Sequence, residues 1–325
     1  MTAYVPLLDL GRWRKGSAGA RSELVGELDR ALRESGFLLV ANHGVSAELK
    51  AEIRRQSRRF FELPDEVKGR YATAVMGRGW IATGREANAF YGETADPARA
   101  DLKETYVSGR IFATGDAAVD AEWFAPNVWP AEVPELRAVA EEYALAVEAV
   151  NADLLEICAE ALGLPTDWFV ARSQKAPYDF NINRYPALNL TGRPLAGQYR
   201  IAPHTDWGVL TVLDREPGLA GLQIQTPEGE WVDAPYVPDA FTINIGDLLA
   251  RWTGDRWRST RHRVLPPSPE APEEELISLV MFFEADIDTV VESFEPPVGK
   301  AGHSYEPVVA GAYLRGRSDA ATVTP

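Results

Sequence analysis

Two histidines and one aspartate stand at a spacing that suits a metal site. His204 and Asp206 are separated by one residue in APHTDWGVLTVL, and His262 follows much later in RSTRHRV. In a β-strand, side chains at i and i+2 point to the same face, so this imidazole and this carboxylate can reach one ion. Two histidines and one carboxylate on one face of an iron ion leave the opposite face open for a cosubstrate and dioxygen. The pattern predicts an iron(II) site formed by His204, Asp206 and His262.

Few other residues compete for this role, because the chain contains only four histidines. His43, in VANHGV between a strand and a helix start, suits a structural hydrogen bond, and His303, in AGHSYEP, suits a surface loop. Asp179 and Asp247 are alternative carboxylates, but neither has a histidine two residues away. An isolated H-x-D pair is weak evidence for metal binding, so the assignment depends on the surrounding sequence.

Length, composition and charge indicate what kind of protein this is and what kind of partner it binds. The chain has 325 residues with 46% hydrophobic content, which is enough for one large domain with a full core. Its formal net charge of −15 opposes nucleic-acid binding, since that affinity comes largely from lysine and arginine. No apolar run approaches the roughly 20 residues of a membrane helix, and the N-terminus lacks a signal-peptide core. We expect a cytoplasmic protein with a small-molecule partner and no membrane partner.

The elements that must position these residues fall into two parts. Apolar periodicity predicts a short strand at 3–10, a helix at 22–36, a strand at 37–40, a helix at 47–61 and a long helix through 136–157. After Tyr178 the pattern changes to short apolar runs separated by Gly, Pro and Asp clusters. This change predicts a mainly β fold with flanking α-helices, in which the strands form an antiparallel barrel or jelly roll.

The order of several motifs resembles one family. These motifs are NxYP at 183–186, HTDxGxLT at 204–211, GLQI at 221–224 and NIGDLLxRWTxxRxRSTxHRV at 244–264. In this order they resemble the isopenicillin N synthase-like group of iron(II), 2-oxoglutarate-dependent oxygenases. GFLLVANHGV, DLKE and AGAYLRGR also look like that group, so the resemblance covers nearly the whole chain.

The resemblance implies a fold and an activity. The fold is a distorted double-stranded β-helix of about eight core strands with iron near one mouth. We expect a single oxygenase domain over 1–325, with a helical and lid region at 1–175, the β core at 176–300 and a C-terminal segment at 301–325. The implied cofactors are Fe(II), 2-oxoglutarate and O2, which together support hydroxylation, desaturation or cyclisation of a small specialised metabolite. Family members are often monomers, so a monomer or weak oligomer is expected.

The resemblance also implies the cosubstrate site, with one departure. Tyr185 and Ser278 match the residues that hydrogen-bond the far carboxylate of 2-oxoglutarate, and Asn183 is their neighbour. The family pattern has an arginine two residues before this serine, whereas this chain has Leu276. A buried dicarboxylate needs a cation nearby.

Three arginines are candidates for that cation: Arg184, Arg261 and Arg263. If none of them serves, the chain could be a 2-oxoglutarate-independent oxidase of the isopenicillin N synthase kind. A ligand-binding barrel without chemistry is a lesser alternative, opposed by the intact metal triad.

The substrate contacts are expected in the aperiodic stretch GRGWIATGREANAFYGE, because family members use this region to cover the active site. Arg78, Arg85 and Tyr91 are the candidates. An arginine here would suit a substrate carboxylate through a bidentate pair.

Overall fold

The computed structural model describes residues 5–74, 77–87, 97–219 and 221–321. Within these residues the helices are α1 Gly11–Lys15, α2 Ala18–Glu34, α3 Ala47–Phe61, α4 Asp65–Lys68, α5 Ala117–Trp123, α6 Glu135–Ala161, α7 Leu188–Thr191, α8 Asp247–Trp252 and α9 Ala310–Ala321. The strands are β1 Leu7–Asp9, β2 Phe37–Ala41, β3 Gly79–Ile81, β4 Glu104–Gly109, β5 Tyr178–Tyr185, β6 Ile201–His204, β7 Leu210–Arg215, β8 Leu222–Gln225, β9 Trp231–Asp233, β10 Phe241–Ile245, β11 His262–Val264, β12 Leu276–Phe283, β13 Val290–Val291 and β14 Val308–Val309.

The strands form one large and one small sheet beside a short two-stranded pair. The large sheet has the order β1-β2-β10-β7-β12-β5-β4-β3, and the small sheet has the order β6-β11-β8-β9. Side chains from both sheets line a common cavity, as expected for a jelly roll. The predicted fold class, mainly β with flanking helices around a jelly-roll core, is confirmed.

The N-terminal part contributes strands as well as helices. β1, β2, β3 and β4 all belong to the large sheet, although they precede residue 176, where the β core was expected to begin. β2 pairs antiparallel with β10, and β4 pairs antiparallel with β5. Strands of one sheet can come from distant parts of a chain. Apolar patterning along the sequence therefore does not show which N-terminal segments join the sheet.

The helices cover the large sheet. α6 packs on α2 and α3, and it buries an apolar stripe that includes Leu136, Tyr143 and Val147. The predicted α3 limits agree with the structure, whereas α2 begins at Ala18 instead of residue 22. The reason is the earlier cap, since the Ser17 hydroxyl accepts a hydrogen bond from the Ala20 amide at 3.3 Å. None of the described helices is both long and apolar enough to cross a membrane.

Candidate metal centre and its two cavities

Two neighbouring strands of the small sheet bring the histidines together. His204 ends β6 and His262 begins β11, and the two residues are direct antiparallel partners. Their ring centroids are 4.3 Å apart. Asp206 lies beyond the end of β6, so the same-face rule for strands is not what brings its carboxylate to the site. The chain turns after His204, and the Asp206 carbonyl accepts a hydrogen bond from the Asp247 amide at 2.8 Å.

The three side chains present one ligand atom each to a common point. Asp206 Oδ1 is 3.6 Å from His204 Nε2 and 3.6 Å from His262 Nε2. All three candidate ligand atoms lie within 4.8 Å of one another, and the described residues contain no second group of three or more His, Cys, Asp or Glu with this property. Two imidazole nitrogens and one carboxylate oxygen fit a non-haem iron(II) ion.

Hydrogen bonds orient both imidazoles. His204 Nδ1 lies 2.8 Å from the Ala202 carbonyl, and His262 Nδ1 lies 3.0 Å from the Thr260 carbonyl. A carbonyl can only accept, so each Nδ1 carries the hydrogen and each Nε2 keeps its lone pair for a metal. Burial and the neighbouring His262 ring lower the pKa of His204 well below its usual range, which keeps it neutral at neutral pH.

The carboxylate of Asp206 is held through its other oxygen. Oδ2 accepts from the Thr211 hydroxyl at 2.5 Å and from Asn244 Nδ2 at 2.6 Å, leaving Oδ1 for the metal. Burial opposes ionisation of this carboxyl, but the two neighbouring histidines and these two donors lower its pKa on balance. The lowered pKa values of His204 and Asp206 favour a neutral imidazole and an anionic carboxylate, the protonation states that metal ligands need.

Two cavities open from this centre. Asn183, Ile201, His204, Asp206 and Phe282 line both of them. The first, which we call the Tyr185 cavity, extends between the two sheets towards Tyr185, Arg215, Leu276 and Ser278. The second, which we call the Glu284 cavity, extends towards Arg78, Trp123, Asp179 and Glu284.

The Tyr185 cavity contains the three residues expected to bind the cosubstrate. Ser278 is the direct strand partner of Asn183, and Leu276 is that of Tyr185, so all four side chains share one face of the large sheet. Burial raises the pKa of Tyr185 to about 12, so its hydroxyl keeps its proton and can donate.

Arg215, at the end of β7, also lines this cavity, and the sequence analysis missed it. It is the direct partner of Ser278 on the strand opposite Asn183. Its Nη2 donates to the carbonyls of Ala234, at 3.0 Å, and Pro235, while Nε is buried without a partner. No carboxylate of the described residues forms an ion pair with it, and burial lowers its pKa. The alternation of side chains along β7 could have identified Arg215, because Thr211, Leu213 and Arg215 must point to the same face of the strand.

The three arginines named from the sequence lie elsewhere, and none lines the Tyr185 cavity. Arg184 points to the opposite face of β5 and forms ion pairs with Glu104 at 2.7 Å and Glu275 at 2.5 Å. Arg263 stacks 4.1 Å above the ring of Trp231 and donates to Gln223. Arg263 follows His262 along β11, so its side chain points away from the face that carries His262. Arg261 directly precedes this strand.

The three predicted substrate contacts have different positions. Arg78 lines the Glu284 cavity, where its Nη1 donates to Asp179 Oδ1 at 2.6 Å and its Nη2 to the Trp123 carbonyl at 3.4 Å. Arg85 is exposed and lines neither cavity. Tyr91 lies outside the described residues.

The remaining histidines have structural contacts. His43 Nε2 lies 2.6 Å from the Asp239 carbonyl, and its ring stacks on Phe241 at 3.8 Å. His303 Nε2 lies 2.9 Å from Asp255 Oδ2. Both agree with the roles expected from the sequence.

Comparison with family models decides the class of protein. Residues 5–132 match the non-haem dioxygenase in morphine synthesis N-terminal model, and residues 177–285 match the 2OG-Fe(II) oxygenase superfamily model. The chain belongs to the 2OG-Fe(II) oxygenase superfamily. It is therefore an Fe(II)- and 2-oxoglutarate-dependent dioxygenase, as the sequence predicted.

Individual relatives agree with this assignment. The chain is 40% identical to validamycin A dioxygenase from Streptomyces hygroscopicus subsp. limoneus over 301 residues, which cover 92% of this chain and 82% of the relative. It is 29% identical to the 2-oxoglutarate-dependent dioxygenase thnC of Trichoderma harzianum, covering 87% of this chain and 85% of the relative.

A solved structure gives the same result. A full-length Neurospora crassa protein crystallised with alpha-KG (2-oxoglutarate) and thymine superposes with a TM-score of 0.82 at 26% identity, covering 97% of this chain and 96% of that one. The 2-oxoglutarate-independent oxidase and the non-catalytic barrel are not favoured by these comparisons.

Proposed function

We propose that this oxygenase oxidises a small specialised metabolite, with Fe(II) held by His204, Asp206 and His262 and with 2-oxoglutarate in the Tyr185 cavity. The observation that carries the proposal is a half-buried guanidinium that has no carboxylate partner among the described residues. Arg215 lies in the cavity that begins at the metal ligands, where the far carboxylate of the cosubstrate needs a cation.

Arg215 replaces the arginine that the family places at position 276. The strand register supports this replacement. Arg215 is the cross-strand partner of Ser278, and Leu276 lies two residues before Ser278 on β12, so all three side chains share one face of the sheet. A guanidinium at either position reaches the same end of the cavity. Leu276 occupies the volume that the family arginine would fill, and Arg215 supplies the charge from the neighbouring strand.

The cosubstrate, once bound to iron, supplies the electrons that activate dioxygen, and this chain's residues position the reactants. Arg215, Ser278 and Tyr185 bind the far carboxylate through charge and hydrogen bonds. Thr211 and Asn244 fix the carboxylate of Asp206, so the ligand set keeps its geometry when the cosubstrate enters.

The substrate belongs in the Glu284 cavity. This cavity reaches the metal ligands from the side away from Arg215, so both reactants can be present together. Trp123, Phe282 and Leu314 supply apolar surface for a carbon skeleton. The substrate class follows from relatives that include validamycin A dioxygenase.

An anaerobic titration tests the cosubstrate assignment. Chelation of iron(II) by the keto acid of 2-oxoglutarate produces a visible charge-transfer band, which we expect to saturate in the iron-loaded protein. The variant His204→Ala is the control and should give no band. A wild-type protein that binds iron stoichiometrically but gives no band, with or without candidate substrates, would contradict the proposal.

A further inference from the structure

Glu284 is a half-buried acid that the proposed chemistry does not use. It directly follows β12 and lines the Glu284 cavity. Its Oε2 atom is buried and has no hydrogen-bond partner. No basic side chain of the described residues forms an ion pair with it, and a buried polar atom without a partner is unfavourable.

The carboxylate lies against the backbone that follows the metal ligand. A Cβ atom at Gly208 would lie 2.1 Å from Glu284 Oε2 and 2.5 Å from its Cδ. A larger residue at 208 would therefore require the carboxylate to move. With glycine at this position, the acid lies beside the chain two residues after Asp206.

The other acids of this cavity are already neutralised. Asp179 is paired with Arg78 at 2.6 Å, and Glu86 is paired with Lys103 at 2.5 Å. Arg78 and Lys103 are the basic residues that line the cavity, so each is committed to another acid.

Glu122, which also lines the cavity, forms an ion pair with Arg315 at 2.6 Å, and Asp206 belongs to the candidate metal site. Among the described residues lining the cavity, Glu284 is the acid that has neither a basic partner nor a place in the metal site.

Burial and nearby carboxylates both disfavour the charged form of Glu284. Burial raises its pKa well above the usual range, and the carboxylates of Asp179, Asp206 and Asp247 raise it further. A cation placed beside it would offset both the lost hydration and the repulsion, and would so stabilise the ionised carboxylate. A neutral hydroxyl could fill the hydrogen bond but would not stabilise the ionised form in this way.

We propose that the substrate is an organic cation whose protonated amine or guanidinium group binds Glu284 while its carbon skeleton lies along the apolar wall of the cavity. This inference rests on the proposed function, because it places the substrate in the cavity opposite the cosubstrate. It names the chemical class that the site selects.

Binding of matched probes tests the inference without turnover. Zn(II) replaces iron, 2-oxoglutarate is added, and primary amines of increasing size are titrated beside alcohols of the same skeleton, from cyclohexylamine and cyclohexanol upwards. We expect the amines to bind at least about tenfold more tightly than the alcohols, a difference of about 1.4 kcal/mol. Equal binding of both series, or no saturable binding by any amine, would overturn the proposal.

Two variants locate the effect. Glu284→Gln keeps the shape but removes the charge, and it should abolish the preference for amines. Glu122→Gln makes the same change at an exposed, ion-paired acid of the same cavity and should preserve it. A preference that survives in Glu284→Gln would refute the assignment to this residue. The charge-transfer band with 2-oxoglutarate, measured separately on the iron-loaded protein, reports failure of the proposed function itself.

Discussion

Moving the guanidinium from Arg215 to position 276 should first destroy and then restore cosubstrate binding. In Arg215→Leu the far carboxylate of 2-oxoglutarate should keep the hydroxyls of Ser278 and Tyr185. It should lose Arg215, the one arginine or lysine among the described residues that lines the Tyr185 cavity. A hydrogen bond to a charged group contributes about 1.5–3 kcal/mol, and leaving a buried charge unpaired costs about 3–5 kcal/mol. Taking about 3 kcal/mol, the Kd should rise about 100-fold, since every 1.4 kcal/mol is tenfold.

The double variant Arg215→Leu/Leu276→Arg returns the charge to the other side of Ser278. Both positions lie on the same face of the sheet, so the new guanidinium points into the same cavity. We expect the Kd of the double variant to recover to within about tenfold of wild type, or about 1.4 kcal/mol. The single change Leu276→Arg should not reproduce this gain, because two neighbouring guanidinium groups repel each other.

The assay is the anaerobic charge-transfer titration, supported by calorimetry on the Zn(II) protein. Arg263→Leu is the matched control, because Arg263 stacks on Trp231 outside the cavity and should leave the Kd unchanged. Arg215 also donates to the carbonyls of Ala234 and Pro235, so a circular dichroism spectrum is recorded for Arg215→Leu to show that the variant is folded. If Arg215→Leu binds 2-oxoglutarate within threefold of wild type, the assignment of the cation is wrong.

Three further outcomes are expected. His204→Ala should abolish iron binding while the circular dichroism spectrum stays that of the wild type; retained stoichiometric iron would exclude this ligand. Asn244→Ala removes one of the two donors to Asp206 Oδ2 and should weaken iron binding about 10–100-fold, as measured by competition with a chelator. Glu284→Gln should stabilise the substrate-free protein increasingly as pH rises above about 4.5. The raised pKa means that the folded state holds a proton which the unfolded chain releases, so wild-type stability falls through this range. Parallel melting-temperature profiles for wild type and variant would show that Glu284 does not titrate in this way.

Much of the site could be predicted because its signals are local. Four histidines leave few possible metal sites, and the order of the motifs around them is specific. The strand residues Asn183, Tyr185 and Ser278 follow from the same motifs. Of the predicted substrate contacts, Arg78 reaches a cavity, whereas Arg85 lies on the surface, because an aperiodic stretch gives no rule for which side chains turn inward.

The sequence by itself determined the class of protein, the candidate metal triad and the general fold, since each depends on residue types and on the order of motifs along the chain. Only the tertiary structure decided which cation faces Ser278 and which acid is left unpaired. Arg215 meets Ser278 through the register of two strands that are distant in the chain. Glu284 is left without a partner because the other acids among the described residues of its cavity form ion pairs or belong to the candidate metal site. Strand register and charge balance arise from contacts between remote segments, so no local pattern encodes them.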